Sequence, residues 1–140
     1  MMDVTAKPIL DGIFEEGPPG RLLGGYCPGC NRKYFPRPVV CPQCLNALDS
    51  IPLSPDGTIY SFTVVRTKAP FGLPQPYAIG YVDLEKDGLR IISLLDSEKL
   101  AHLAVGVPVT LRVDVVGVGP DGQPCLRYFF SPKDERREGA

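Results

Sequence analysis

The chain contains no tryptophan, one histidine and two methionines. A single histidine leaves little room for the imidazole pairs and triads on which much acid–base and nucleophilic catalysis rests. No charge of one sign is in excess: 15 Lys and Arg stand against 16 Asp and Glu. A protein that grips nucleic acid through many phosphates carries a basic surplus, and none is present here. No run approaches 18 apolar residues, so no membrane-spanning segment is expected. The first residues lack a basic stretch followed by an apolar one, and they are not read as a signal peptide. Convincing long helices are missing too. The 15 glycines and 16 prolines among 140 residues favour turns and irregular connections.

What is present is a cluster of cysteines. Of the five, Cys27, Cys30, Cys41 and Cys44 lie close together, and Cys125 stands alone. Cys27-Pro28-Gly29-Cys30 and Cys41-Pro42-Gln43-Cys44 are two Cys-x2-Cys knuckles. Two thiolates separated by two residues reach one ion from a tight turn, and a second such turn completes a tetrahedron. The expected cofactor is one zinc ion per chain. With four thiolates and no open position, the site is structural and not catalytic. Arg32, Lys33 and Arg37, between the knuckles, are expected to offset the net negative charge of the loaded site. Iron has the same ligand preference, and a pair of disulfides is the competing reading. Together these features lead to the expectation of a cytoplasmic protein.

From residue 58 the apolar pattern has period two. Strands are expected at 58–65, 77–84, 89–95, 107–115 and 126–130, with Asp87-Gly88 turning the second into the third. Residues 97–103 read as a short helix capped by Asp96 or Ser97. In the fourth strand Val107, Val109, Leu111, Val113 and Val115 are expected to share one face. The fold class is mostly β: a zinc ribbon followed by a five-stranded barrel of the OB type. A generic small barrel or a split sandwich fits the same pattern. The expected organisation is a leader at 1–20, the ribbon at 21–47, the OB domain at 48–131 opening on an irregular connector at 48–57, and a flexible tail at 132–140.

Other chemistry-bearing residues are sparse. His102 has only Ala101 and Leu103 beside it and reads as a surface or packing residue. Cys125 reads as a small buried apolar group. Asp83, Asp96 and Asp114 have no evident partner for acid–base work. The aromatic set Tyr60, Phe62, Tyr77, Tyr81, Tyr128 and Phe129 suits base stacking, a core or a partner interface equally. The stretch 68–76, rich in proline and apolar residues, is a long loop of a composition that tends to touch a ligand or partner.

Taken in order, several segments resemble one known family. They are Tyr26-Cys27-Pro28-Gly29-Cys30, Phe35-Pro36-Arg37-Pro38, Cys41-Pro42-Gln43-Cys44, residues 57–65, Pro76-Tyr77-Ala78-Ile79-Gly80 and the stretch 100–110 around Gly106. The family is that of rubredoxin-like zinc-ribbon plus OB-fold proteins, known as domain of unknown function thirty-five, and the resemblance spans residues 10–130. It implies a non-catalytic partner subunit of a thiolase-like protein in a hetero-oligomer, or of a MaoC-like acyl-CoA hydratase. The larger partner then holds the catalytic residues, and none is assigned to this chain. Whether the chain itself counts as an enzyme is left open. Some such proteins bind or shield acyl-CoA. In size and pattern the chain is similar to the family members that serve thiolytic cleavage of benzoylsuccinyl-CoA to benzoyl-CoA and succinyl-CoA, in aromatic degradation; partners of acetyl-CoA acetyltransferases and of steroid side-chain thiolases look similar at this level. On that reading Arg66, Lys68 and Arg90 are candidate contacts to CoA phosphates, and Phe71 and Leu73 to acyl-CoA or the partner. A ribbon–OB module that binds nucleic acid is the alternative of a different class.

Overall fold

The structure is a computed structural model, and it describes residues 7–8, 13–15 and 20–133. Among the described residues ten strands run in chain order: β1 (Lys7–Pro8), β2 (Phe14–Glu15), β3 (Arg21–Cys27), β4 (Arg32–Tyr34), β5 (Asp49–Pro52), β6 (Asp56–Val65), β7 (Tyr77–Leu84), β8 (Leu89–Leu95), β9 (Pro108–Val118) and β10 (Pro124–Pro132). Most of the expected tail, and the greater part of the expected leader, lie outside the described residues.

The last five strands close a barrel. β6 pairs antiparallel with β7, and β7 with β8. β10 joins β8 in parallel at Phe129 and Phe130 and runs antiparallel to β9 along most of its length. β9 returns to β6 at residues 108–110. This is the five-stranded Greek-key arrangement of an OB fold, with its connecting turn between the third and fourth barrel strands. Strict alternation supplies the interior. Ile59, Ala78, Val82, Leu84, Ile91, Leu95, Val109 and Phe130 are all buried. A β-bulge at Tyr60 lets β6 bend around the barrel. Gly80 faces that bend, where any Cβ would run into the Ser61 carbonyl oxygen.

Three expectations need correction. The helix at 97–103 is a 3₁₀ segment, Ser97–His102, and the Asp96 carboxylate caps it by accepting the Glu98 N–H at 3.0 Å. The one-face pattern of β9 holds for Val109, Leu111 and Val113 but fails at Val115, which is 46% exposed. Val115 still pairs with Leu126 in the register of Val113 and Leu111, and the ladder shifts only beyond it, toward Pro124. It is exposed because it lies outside the apolar cluster that takes up Val109, Leu111 and Val113. The connector at 48–57 is not irregular: it holds β5, and Asp56 already opens β6. Two prolines suggested a break there, yet Pro52 ends a strand that pairs only with β3, a position where a missing N–H does little harm.

The ribbon is built around β3, which pairs with β2, β4 and β5. It does not stand apart from the barrel. Phe14, Leu22 and Leu53 share one apolar cluster with the barrel interior, and Phe35 packs against it. Tyr128 of β10 meets the rings of Phe14 and Phe35 edge-on at 6.3 and 5.9 Å. Asp87, in the β7–β8 turn, adds a polar strut. Its buried carboxylate accepts from Lys33 Nζ at 2.8 Å and from the Ser54 N–H at 2.7 Å.

Candidate metal centre and the surfaces around it

Both knuckles fold in the same way. β3 ends at Cys27, and the Asn31 N–H returns to the Cys27 carbonyl at 2.7 Å. In the second knuckle the Leu45 N–H returns to the Cys41 carbonyl at 2.8 Å. Asn31 and Leu45 both adopt left-handed backbone, with φ of 55° and 65°. Each knuckle thereby turns its two thiols toward the same point. A bridge between Val40 and Ala47, with the Cys41 N–H donating to the Asn46 carbonyl, holds the second turn shut.

The four sulfurs lie within 4.8 Å of one another. Tetrahedral zinc with Zn–S bonds of about 2.3 Å places its sulfurs about 3.8 Å apart. Two pairs bracket that spacing: Cys27 to Cys44 at 3.5 Å and Cys30 to Cys41 at 3.9 Å. Cys27 and Cys41 are buried beside Leu48 and Tyr34, whereas Cys44 is exposed. The Gln43 N–H points at the Cys41 sulfur at 3.4 Å, and the Tyr34 hydroxyl lies 3.7 Å from it. Burial opposes ionisation of Cys41. The Cys44 and Gln43 N–H groups and the Tyr34 hydroxyl outweigh it, and the thiol falls to about 6. Hydrogen bonding to Cys44, followed by burial and the other two thiols, pushes Cys30 up to about 12. One thiolate forms readily and the last resists ionisation beside the others. The chain carries a four-cysteine cluster capable of coordinating a structural zinc ion, as the convergence of the four sulfurs shows. Such an ion would tie the two knuckles together. All four donors are cysteines, and the centre supplies no acid or base.

Lys33 was expected to offset the cluster's charge. Its ammonium is turned away to Asp87.

The remaining candidate residues separate into two places. Arg66, Lys68, Phe71 and Leu73 share the loop between β6 and β7. Phe71 is 58% exposed and held at φ 55° in the short Pro70–Gly72 turn. The loop rests on the end of β9, where a Cβ on Gly117 would meet the Phe71 carbonyl oxygen at 2.5 Å. Arg90 is not beside this loop. It pairs with Asp83 across β7 and β8, six residues along β7 from Tyr77, or about 20 Å at strand rise. Its guanidinium is also engaged: Nε donates to Asp83 at 2.6 Å, and the group stacks over the Tyr60 ring at 3.4 Å.

His102 is exposed at the end of the 3₁₀ segment, and Cys125 is buried at 4% exposure. Tyr60 and Tyr81 are half-exposed on the outer barrel face, Phe62 packs on the core, and Phe129 is buried. Asp96 and Asp114, unpaired in the sequence reading, both line one cleft on the outside of β9 and β10. Sequence reasoning missed the Asp87 strut, the Tyr34 hydroxyl and this cleft, because each depends on how the chain folds back on itself. Among the described residues no helix is long and apolar enough to cross a membrane.

Comparison with known proteins agrees with this architecture. Residues 14–49 match the ChsH2 rubredoxin-like zinc ribbon domain, and residues 50–114 match the ChsH2 C-terminal OB-fold domain. The benzoylsuccinyl-CoA thiolase subunit BbsA of Thauera aromatica is 33% identical over 122 residues, covering 84% of this chain and 83% of its own. A DUF35 domain-containing scaffold protein of Methanothermobacter thermautotrophicus is 29% identical over 116 residues, covering 80% and 86%. Among solved structures, a chain of an Ltp2-ChsH2(DUF35) aldolase shares the fold, with a TM-score of 0.62 and 24% identity over 80% of this chain and 84% of that one. The chain therefore belongs to the ChsH2/DUF35 family of zinc-ribbon plus OB-fold proteins.

Proposed function

We propose that the chain is an accessory, scaffold-type subunit of a thiolase-like acyl-CoA enzyme complex. The observation that carries this reading is its identity with a thiolase subunit across more than four-fifths of both chains. The geometry supports it. The four-cysteine centre is closed and braces a ribbon that shares its core with the barrel. The outer face of β7 and β8, on which OB folds commonly bind their ligands, is largely apolar. It carries Ile79, Tyr81, Ile92 and Leu94; Arg90 is already paired with Asp83, and Arg127, at its border with β10, is bonded to the Val116 and Val118 carbonyls. Such a face suits a protein partner better than a phosphate backbone.

The finer reading is participation in thiolytic cleavage of benzoylsuccinyl-CoA to benzoyl-CoA and succinyl-CoA. Arg66, Lys68, Phe71 and Leu73 would then present the β6–β7 loop to acyl-CoA or to the partner. Arg90, already committed to Asp83 and Tyr60, would act from the barrel face and not from the loop.

The test is purification of the tagged, zinc-loaded chain from its native cells, with mass spectrometry of what co-elutes and assay of thiolysis. A stoichiometric thiolase-like protein, whose activity falls when the small chain is stripped away, is the expected result. A solitary chain, or one that elutes with RNA, overturns the reading.

A further inference from the structure

The outer face of β9 and β10 holds a cleft of about 260 Å³, closed on one side by the β6–β7 loop and on another by the start of the 3₁₀ segment. That volume falls below the roughly 300–1,000 Å³ of cofactor and drug-sized sites. It is the size of a socket for part of a molecule. The walls are apolar and aromatic, formed by Leu73, Tyr77, Leu94 and Phe129. The charged groups lining it are Asp96, Glu98 and Asp114 against Arg112. A second guanidinium, Arg127, donates from behind the wall to the carbonyls of Val116 and Val118, so carboxylates still outnumber cations by three to two.

Asp96 is internally compensated. Its buried carboxylate accepts from the Ser131 hydroxyl at 2.8 Å and faces the Arg112 guanidinium at 3.7 Å. Arg112 in turn lies over the Phe129 ring at 5.5 Å. This arrangement already holds one guanidinium between a carboxylate and an aromatic face. Glu98 and Asp114 are exposed at the same cleft, and no cation lies within ion-pair distance of either among the described residues. An incoming anion would meet this surplus of carboxylates, whereas a cation would complete it.

We infer that the cleft is a docking socket for one basic side chain, arginine or lysine, presented by a protein partner. Its methylene stem lies along Leu73 and Leu94, and its head reaches Glu98 and Asp114 with Tyr77 alongside. Val115, in the cleft wall, and Phe71, next in sequence to the lining residue Gly72, are 46% and 58% exposed. A partner with apolar residues beside the basic one would cover them. The accessory-subunit reading supplies the idea of a partner, but the socket is a property of this chain alone and can be tested without it.

The experiment titrates the full, zinc-loaded, 15N-labelled chain with the capped tripeptide Leu-Arg-Leu, and in parallel with its Leu-Gln-Leu and Leu-Glu-Leu counterparts. Saturable amide shifts centred on residues 73, 77, 94 and 114–117 are expected with the arginine peptide. Binding is at least tenfold weaker with glutamine, weakens with salt, and is lost in the Glu98→Gln, Asp114→Asn double variant. Both positions are exposed, so the double variant keeps its other resonances. Absence of shifts with the arginine peptide, equal binding of the arginine and glutamine peptides, or preference for the glutamate peptide through Arg112 overturns the inference. None of those outcomes bears on whether a thiolase-like protein co-purifies.

Discussion

Replacing Asp87 with alanine tests whether ribbon and barrel act as one unit. The Asp87 side chain is 6% exposed and holds Lys33 and the Ser54 N–H at once. Loss of the charge-assisted bond to Ser54 costs about 2 kcal/mol, since the N–H keeps no partner of equal strength. Lys33 is one-third exposed and rehydrates readily, so its share is at most about 1 kcal/mol. Asp87→Ala should therefore lower stability by about 3 kcal/mol. With a urea dependence of about 1.5 kcal/mol/M, the unfolding midpoint of the zinc-loaded chain falls by about 2 M. Asp87→Asn retains an acceptor for Ser54 and should cost about half as much, and Lys33→Ala, which leaves the buried carboxylate with the Ser54 N–H alone, about 1–2 kcal/mol. Hydrogen exchange should quicken along β3 and β5 while the barrel's inner strands stay protected. A change of less than about 1 kcal/mol for Asp87→Ala, or Lys33→Ala proving the more costly substitution, would refute the reasoning.

Other predictions concern the metal, the bulge and the loop. Cys41→Ser should lose the zinc equivalent and loosen the ribbon before the barrel, read by elemental analysis and amide spectra; a full equivalent retained would contradict the four-cysteine assignment. Tyr34→Phe, which removes the hydroxyl beside the Cys41 sulfur, should weaken zinc about tenfold in a chelator competition, and unchanged affinity would deny that hydroxyl a role. Gly80→Ala should destabilise by about 3 kcal/mol or prevent folding, because the Ser61 carbonyl that it meets is backbone and cannot step aside. Phe71→Ser should leave the melting temperature nearly unchanged, being an exposed position, yet reduce recovery of the thiolase-like partner. Equal recovery would remove the loop from the interface.

Much of the fold was legible because its signals are local. The two Cys-x2-Cys knuckles need only four residues each to form their turns. The barrel strands declare themselves by alternation over seven to eleven residues, as in β8 and β9. Where the reading went astray, a distant partner had decided the local structure. Residues 49–52 have two prolines nearby and a weak strand pattern, but β3 offers an edge that needs little from them. Val115 follows the alternation of its own strand, but it lies outside the apolar cluster, gathered from other strands, that takes up Val109, Leu111 and Val113. Arg90 looked free and close to the loop, because a linear reading shows neither the cross-strand carboxylate nor the full length of the β7–β8 hairpin.

The sequence by itself determined the class of metal ligand, the five-strand count and the balance of charge, since these depend on residue type and short-range spacing. The tertiary structure alone decided the union of ribbon and barrel through Asp87 and Tyr128, the commitment of Arg90, and the meeting of Asp96, Glu98, Asp114 and Arg112 in one cleft. Most of those contacts join residues on strands or turns that are remote from each other in the chain. The Arg90–Asp83 pair needs only the β7–β8 hairpin; the remote contacts exist only once barrel closure has fixed the strand order, and no local propensity encodes that order.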